Sequence, residues 1–279
     1  MEHTLIQALT RGRGRERPFR CPVHDDRHAS ASVNVIKGLW VCYSCGAKGT
    51  IDSVTADADV SFGADIEELL GYEQRVYTES WLDQYENRHR PVHPYWLSRF
   101  TEVAARRFRL GYDHDRASPC YPIRSPGGDV LGVVRRQLDQ MPKYLYPRGV
   151  TKSELLFNYN PERLNYVVLV EGAMDVVACW EAGHVAFGMY GSMLHANQLA
   201  LLQRTGVSRV VDALDNDSAG RNAVNGWTTS SGNEVPGLDA RLSAAGFEVL
   251  SVDWSNVDAK DIADCDISTR KKLLDPLAL

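Results

Sequence analysis

The chain has 279 residues, of which 44% are hydrophobic and 24% are charged, and its formal net charge is −5. This composition is typical of a globular protein, and the length allows two or three compact units. No stretch approaches the roughly 18 consecutive apolar residues that a membrane span needs, and the N-terminus has no apolar secretory segment, so we exclude a membrane protein and expect a cytoplasmic one.

Charge is distributed unevenly along the chain. Residues 1–150 hold 21 basic and 19 acidic side chains, whereas residues 151–279 hold 10 and 17. The positive excess is greatest in residues 88–148, which hold 12 basic and 5 acidic side chains. Such a segment suits contact with a phosphate backbone, although an ordinary solvated surface has the same composition.

Near the N-terminus, four candidate metal ligands form two pairs, Cys21 with His24 and Cys42 with Cys45, and each pair has two residues between its ligands. The segment between the pairs alternates in polarity at residues 32–35 and continues into Lys37-Gly38, which predicts a hairpin. Four such ligands satisfy tetrahedral Zn²⁺ without an open position, so we expect a structural zinc site whose metal stabilises residues 19–50. His28 is a competing ligand with a less suitable spacing.

Residues 76–158 mix helix and strand signals. An aromatic, helix-like pattern covers residues 81–100, and a strand pattern covers residues 129–134 after the Pro126-Gly127-Gly128 turn. This segment contains most of the basic stretch. We therefore expect a basic α+β subdomain here.

Strand and helix patterns alternate in the last part of the chain. The predicted strands cover residues 166–170, 185–187, 209–214 and 247–252, and the predicted helices cover residues 173–182, 196–205 and 238–245. This alternation predicts an α/β domain with a mostly parallel sheet covered by helices. The chain as a whole is therefore expected to be an α+β multidomain protein.

Three acidic residues follow two of these predicted strands. Glu171 comes directly after residues 166–170, and Asp215 and Asp217 come after residues 209–214. If the strands are neighbours, the carboxylates meet at the edge where ligands of such sheets gather. Carboxylate oxygens bind Mg²⁺ or Mn²⁺, which assist nucleotidyl transfer, although a single acid at a strand end is often only a helix cap. Asp212, inside the strand pattern, is interpreted as structural or edge-exposed.

In chain order, three segments resemble bacterial DnaG-type primases. Residues 21–49 look like the zinc ribbon of that family, and residues 130–136 with 142–145 look like its basic subdomain. Residues 166–265, with EGAMD at 171–175, GMYGS at 188–192 and DNDSAGR at 215–221, resemble the TOPRIM domain that these primases share with topoisomerases. The implied domains are a zinc ribbon at 1–60, a basic subdomain at 76–158 and a TOPRIM catalytic domain at 159–270.

The resemblance also implies roles for individual residues. It makes Glu171 a general acid/base and a metal ligand, and Asp215 and Asp217 ligands of Mg²⁺ or Mn²⁺. It adds Asp175 as an accessory acid. Asp261 matches the first acid of a later Asp-Pro-Asp motif, whereas the second acid is displaced by one residue, which leaves the number of catalytic metal ions open.

Nucleic-acid contacts are implied in two segments. Arg136 and Lys143 match family residues that line the template or nucleotide groove, and Arg135 is a further candidate beside them. In the ribbon, Trp40 and Lys48 are candidate template contacts. Ordinary surface cations are the alternative for each basic residue.

The resulting hypothesis is a DNA primase that joins ribonucleoside triphosphates on single-stranded DNA. The chain has no G-x-x-x-x-G-K-[ST] loop, so a replicative helicase is expected to be a separate protein. The alternatives are a TOPRIM-type nuclease and a non-catalytic, zinc-dependent single-strand-binding protein. The chain ends soon after the segment that resembles TOPRIM. We therefore expect a phage or plasmid protein, which would function in the host cytoplasm.

Overall fold

In the computed structural model the chain divides between residues 74 and 75 into two units, Met1–Gln74 and Arg75–Leu279. The structure describes residues 16–21, 29–35, 38–42, 48–50, 74–86, 89–139, 143–147, 149–162, 164–228 and 234–278. The predicted zinc ligands His24 and Cys45, and the competing ligand His28, lie outside these ranges. The backbone of Lys48 is described, but its side chain is not.

The first unit contains a four-stranded antiparallel sheet. Its strands, which pair in chain order, are β1 (Glu16–Phe19), β2 (Ala31–Asn34), β3 (Leu39–Cys42) and β4 (Lys48–Thr50). The predicted hairpin joins β2 to β3 at Gly38, whose φ of +65° suits a residue without a β-carbon. The core of the first unit includes Phe19 and Trp40, which are both buried. Their rings meet edge to face, with 5.8 Å between the ring centroids.

The second unit begins with a four-stranded antiparallel sheet and short helices. The strands, again paired in chain order, are β5 (Gly111–Asp113), β6 (Ser118–Arg124), β7 (Val130–Arg136) and β8 (Tyr144–Leu145). Helices α1 (Pro94–Leu97) and α2 (Glu102–Arg107) precede them, together with 3₁₀ segments at Glu79–Gln84 and, further on, Lys152–Glu154. The strand predicted at residues 129–134 is β7.

The prediction of one helix-like stretch across residues 81–100 is wrong. The segment forms the 3₁₀ turn Glu79–Gln84 and the separate helix α1, with non-helical backbone at residues 91–93. Pro91 and Pro94 have no backbone N–H to donate, so a continuous helix cannot pass through them. Pro94 instead occupies the first turn of α1, where no N–H is needed, and His93 Nδ1 caps that turn by accepting the Tyr95 N–H.

A parallel four-stranded sheet follows in the same unit. Its strands are β9 (Tyr166–Val170), β10 (Ala186–Gly188), β11 (Arg209–Asp212) and β14 (Glu248–Ser251), and their order across the sheet is β10-β9-β11-β14. The helices are α3 (Ala173–Glu181), α4 (Ala196–Arg204), α5 (Ser218–Asn225), α6 (Leu238–Ala244) and α7 (Ile267–Leu274), with 3₁₀ segments at Ile262–Asp264 and Asp275–Leu277. The predicted α/β alternation is thus confirmed.

A short antiparallel pair of strands precedes α6. The Gly/Ser-rich segment before α6 is flanked by β12 (Gly226–Thr228) and β13 (Glu234–Pro236), which pair antiparallel. Period-2 patterns of three residues are too short to detect in sequence.

The parallel sheet is buried on both faces, as its run of Val and Leu residues requires. On one face Val168, Val170 and Val211 pack with α3 and α7, and on the other Val167, Leu169 and Val210 pack with α4 and α6. Among the described residues, no helix is long and apolar enough to cross a membrane.

The antiparallel and parallel sheets of the second unit share one hydrophobic core. Tyr121, Ile123 and Val134 of the antiparallel sheet belong to the cluster that contains Val168. In addition, the backbone of Phe157 exchanges hydrogen bonds of 2.8 and 3.2 Å with Gly188. The domain boundary predicted at residues 158–159 lies beside this bridge and stays a prediction.

Candidate active site

The carboxyl ends of β9 and β11 bring the predicted acidic residues together. The strands are parallel neighbours, with Leu169 opposite Asp212, and the Ala213 N–H extends the pairing by donating to Leu169 O at 3.0 Å. The next residues on both strands therefore leave the sheet at the same edge. The backbone amide of Asp215 hydrogen-bonds to the Glu171 carboxylate, which places the two acids in direct contact.

Glu171 has an environment that favours its protonated form. Its Oε1 is buried and has no hydrogen-bond partner among the described residues. Burial, and then the negative charges of Asp215 and Asp217, raise the pKa of Glu171 to about 7, while the Asp215 amide and Lys260 act in the opposite direction. A carboxyl group with this pKa can hold or release a proton near neutral pH.

The Asp215-to-Asp217 loop is fixed by the first turn of α5. Asp217 Oδ1 accepts the Gly220 N–H at 2.9 Å, and Asp217 O accepts the Arg221 N–H at 3.0 Å. The backbone of Gly220 lies so close that a β-carbon there would stand 1.9 Å from the Asp215 carbonyl oxygen. Only glycine permits this approach, so Gly220 is part of what positions Asp215.

Lys260 approaches the same two carboxylates. Its Nζ lies 2.7 Å from Asp215 Oδ2 and 3.7 Å from Asp217 Oδ2. The hydrogen bond to Asp215 raises the pKa of Lys260 well above its usual range. Lys260 is not among the predicted site residues, although it immediately precedes Asp261 in sequence.

Asp175 and Asp261 lie behind this group of acids. Asp175, on α3, is buried and accepts the Ala263 N–H at 3.1 Å, whereas Asp261 caps a 3₁₀ turn by accepting the Asp264 N–H at 2.9 Å. Burial raises the pKa of both carboxyl groups, and for Asp175 the neighbouring Asp261 and Asp215 act in the same direction. Asp175 thus ties α3 to the 3₁₀ turn that Asp261 caps.

Asp212 points away from this group. It is 3% exposed, and its Oδ1 accepts the Leu214 N–H at 3.1 Å. Burial and the nearby Asp239 raise the pKa of Asp212 to about 7. Its interpretation as structural agrees with this burial, and the edge-exposed alternative does not.

Of the predicted basic residues, Lys143, which directly precedes β8, lies near the acids, and Arg136 lies near Lys143. Lys143 is close enough for Asp261 and Asp215 to raise its pKa, but burial and the positive charges of Arg136 and Lys260 outweigh them, so the pKa is lowered. Arg136 Nη1 lies 3.3 Å from the Tyr144 hydroxyl group. A cationic segment of one sheet thus adjoins the acidic edge of the other.

Arg135 is placed differently from Arg136. Successive side chains of a strand point to opposite faces, and Arg135 Nε pairs with Asp113 Oδ2 at 2.5 Å. Its Nη2 also lies 3.3 Å from the Tyr85 hydroxyl group. Because Arg135 already binds a buried carboxylate, the structure separates it from the basic pair Arg136 and Lys143.

Two segments of the chain match known protein families. Residues 7–80 match the CHC2 zinc finger family, and residues 168–264 match the Toprim-like family. A DNA primase from Helicobacter pylori strain 26695 is 28% identical over 269 residues, covering 73% of this chain and 48% of the relative. One from Enterococcus faecalis is 26% identical over 292 residues, covering 74% and 46%. The chain is therefore similar to bacterial DNA primases and contains a CHC2 zinc finger segment and a Toprim-like segment. It spans about half the length of these curated relatives.

Two solved structures share the fold of this chain. The Aquifex aeolicus primase fragment with zinc-binding and RNA polymerase domains has a TM-score of 0.51 and 22% identity, covering 95% of this chain and 79% of that one. The Escherichia coli primase catalytic core has a TM-score of 0.52 and 20% identity, covering 72% and 77%.

Zinc binding is implied by the CHC2 family match. Cys21 and Cys42 are buried in the first unit, 5% and 1% exposed, and Cys42 Sγ lies 3.3 Å from Ser30 Oγ. Two buried thiols suit the donor chemistry of a zinc site.

The acidic edge fits a hard divalent cation in its donor chemistry, and Toprim domains bind Mg²⁺ in this family. Glu171 Oε1 is buried without a hydrogen-bond partner in the described ranges, and the oxygens of Asp215 and Asp217 already attract a cation, the Lys260 ammonium. In the part of the chain that the structure describes, no three acidic, histidine or cysteine side chains converge on one point.

Proposed function

We propose that the chain is the primer-synthesising part of a DNA primase, which joins ribonucleoside triphosphates on a single-stranded DNA template. The observation that carries this proposal is the meeting of opposite charges within one compact unit. Glu171, Asp215 and Asp217 stand at one edge of the parallel sheet, and Lys143 of the antiparallel sheet lies within electrostatic range of Asp215. Nucleotidyl transfer needs both surfaces, since phosphates must be bound and their charge neutralised.

In this proposal the basic residues hold phosphates. Lys143 and Arg136 bind the triphosphate of a nucleotide or the template backbone, and Tyr144, which Arg136 contacts, fixes the orientation of the guanidinium group. Because Lys143 is close to Asp215, phosphates held by Lys143 lie next to the acidic edge. Arg135 is a weaker candidate because it is paired with Asp113.

The acidic residues have different proposed roles in the reaction. Glu171, with a pKa raised to about 7, accepts the proton of the attacking hydroxyl group. Asp215 and Asp217 are the proposed metal ligands, together with Glu171, and Asp175 and Asp261 support them from behind. A divalent ion bound there would neutralise charge on the reacting phosphates and lower the pKa of the attacking hydroxyl group.

The first unit is proposed to hold template DNA, with Cys21, His24, Cys42 and Cys45 as the zinc ligands. Trp40 and Lys48 are the proposed template contacts. Trp40 is 5% exposed, so its main contribution is to the core of the sheet, and any base contact must use the rim of its ring. The separate helicase also remains part of the proposal.

A primer-synthesis assay tests this function. The protein is incubated with single-stranded DNA, the four ribonucleoside triphosphates and Mg²⁺ or Mn²⁺, and the products are separated by length. We expect short RNA products from the wild-type chain and none from Asp215→Asn or Asp217→Asn. The affinity of these variants for template, measured by fluorescence anisotropy, should stay near that of wild type.

Asp212→Asn is the matched control, because Asp212 is the buried last residue of β11, the strand that leads to Asp215, and its carboxylate accepts the Leu214 N–H. This variant should still make primers. Shortened DNA in place of RNA would instead indicate a nuclease. Template binding without any product would indicate a single-strand-binding protein, and either result would overturn the proposal.

A further inference from the structure

One cation already occupies the acidic edge of the parallel sheet. The Lys260 ammonium donates a hydrogen bond to Asp215 and stands within ion-pair distance of Asp217, with Nζ–Oδ2 distances of 2.7 and 3.7 Å. Asp215 is the less accessible partner, with a side chain 14% exposed, whereas that of Lys260 is 52% exposed. The ammonium therefore reaches inward to the carboxylates from a stem that remains in solvent.

The backbone of Lys260 is fixed at this position independently of its side chain. Its carbonyl accepts the Asn216 N–H at 2.6 Å, and the neighbouring Ala259 carbonyl accepts Asn216 Nδ2 at 3.1 Å. These bonds join the Asp215-to-Asp217 loop to the segment that carries Lys260. The four-carbon stem can consequently swing out while the loop and the backbone stay in place.

The ammonium and a divalent ion would compete for the same oxygens. A metal ion needs direct access to carboxylate oxygens, and Asp215 Oδ2 is engaged by Nζ at hydrogen-bond distance. Two carboxylates with one bound ammonium are also less negative than two free ones. The first metal ion must therefore remove a favourable contact before it gains its own.

We propose that Lys260 is the resident cation of the metal-free site, which neutralises Asp215 and Asp217 and which a divalent metal ion displaces when it binds. Lys260 is in this sense a positioning residue, because it keeps the carboxylates together at the edge of the sheet in the absence of metal. The inference rests on the proposed metal site and adds to it a residue that opposes metal binding.

Mn²⁺ binding to the full chain, followed by electron paramagnetic resonance, tests the inference without using activity. Lys260→Met removes the ammonium and keeps the stem, and we expect it to bind Mn²⁺ about two- to fivefold more tightly than wild type, the range that an ion pair of this exposure supports. Lys143→Met is the matched control. It also removes one positive charge near Asp215, but among the described residues Lys143 forms no ion pair.

The comparison separates displacement from general electrostatics. Two results would reject the displacement of Lys260 and leave the proposed metal site intact. One is that Lys143→Met tightens Mn²⁺ binding as much as Lys260→Met does, and the other is that Lys260→Met leaves Mn²⁺ binding unchanged. If neither the wild type nor the variant binds Mn²⁺, the proposed metal site, the proposed function and the displacement by metal are all rejected. Circular dichroism verifies that both variants are folded.

A second measurement follows Lys260 directly. In a protein with ¹⁵N-labelled lysine, a hydrogen-bonded ammonium gives an observable Nζ signal, which Mg²⁺ should shift or remove for Lys260. The Lys260→Met spectrum assigns that signal. A Lys260 signal that is unaffected at saturating Mg²⁺ would show that the ammonium stays on Asp215 and would reject the proposal.

Discussion

The backbone N–H of Asn216 donates a 2.6 Å hydrogen bond to the carbonyl oxygen of Lys260. The Asn216 side chain adds a second bond, from Nδ2 to Ala259 O at 3.1 Å. Asn216 therefore joins two segments that are 43 residues or more apart in sequence. The residue between the two acids of an Asp-x-Asp pair thus holds the loop on which both acids stand.

Replacement of Asn216 by Ala should weaken the connection between the Asp215-to-Asp217 loop and the segment that carries Lys260. It removes the side-chain bond to Ala259 O and the longer ones to Val257 O and from Arg221 Nη1, and it keeps the backbone bond. We expect a loss of about 1 kcal/mol in unfolding free energy, measured by urea denaturation. Primer synthesis should fall by more than stability alone explains, because Asp215 and Asp217 lose their fixed position. Full activity in Asn216→Ala would contradict this role.

Gly220 should be intolerant of any side chain. A β-carbon at this position would lie 1.9 Å from the Asp215 carbonyl oxygen, so Gly220→Ala must displace the loop. We expect thermal unfolding to show a loss of about 1–3 kcal/mol and the primer assay to show no product. Gly191→Ala is the control, since nothing lies within 4 Å of a β-carbon there, and it should change stability by less than about 0.5 kcal/mol.

Arg135 and Arg136 should differ in the property that each supports. Arg135→Ala leaves the buried Asp113 carboxylate without its cation, and we expect a loss of about 3 kcal/mol in unfolding free energy. Arg136→Ala should leave stability nearly unchanged and weaken the binding of nucleotide or single-stranded DNA. The two variants are compared by urea denaturation and fluorescence anisotropy. The reverse assignment of effects would refute the division between the two faces of β7.

Asp212 should make the wild-type chain less stable as pH rises. Its pKa is about 7 in the folded protein and lower in the unfolded chain, so the folded state holds more protons between pH 4 and 7. Stability is therefore highest below this window and falls as pH increases through it. Asp212→Asn keeps the acceptor for the Leu214 N–H and removes the charge, so we expect a gain of about 2–4 kcal/mol at pH 8 and little change at pH 4. Thermal unfolding at the two pH values measures this difference.

Removal of zinc should unfold the first unit and spare the second. The sheet of β1 to β4 has a small core around Phe19, Val33 and Trp40, which is too small to offset chain entropy without metal. A chelator should therefore expose residues 16–50 to limited proteolysis, while a fragment that begins near residue 75 persists. Metal analysis should find one zinc ion per chain. Resistance of the first unit in the zinc-free protein would contradict this prediction.

The sequence by itself determined the α/β alternation and the ends of the strands. Periods of apolar residues are local, so β9, α3 and β11 could be located within one or two residues of their observed limits. Parallel neighbours end at one edge, so Glu171 could be expected near Asp215. Local patterns were insufficient where proline interrupted them, as in residues 81–100.

Only the tertiary structure decided which groups complete the site. Lys260 contacts Asp215 across 45 residues of sequence, and the position of its ammonium depends on how the segment after β14 returns to the edge of the sheet. The proximity of Lys143 to Asp215, the separation of Arg135 from Arg136 and the inward direction of Asp212 have the same origin. Such contacts depend on how distant segments pack around a common core, and neither hydrophobic periodicity nor motif spacing contains that information.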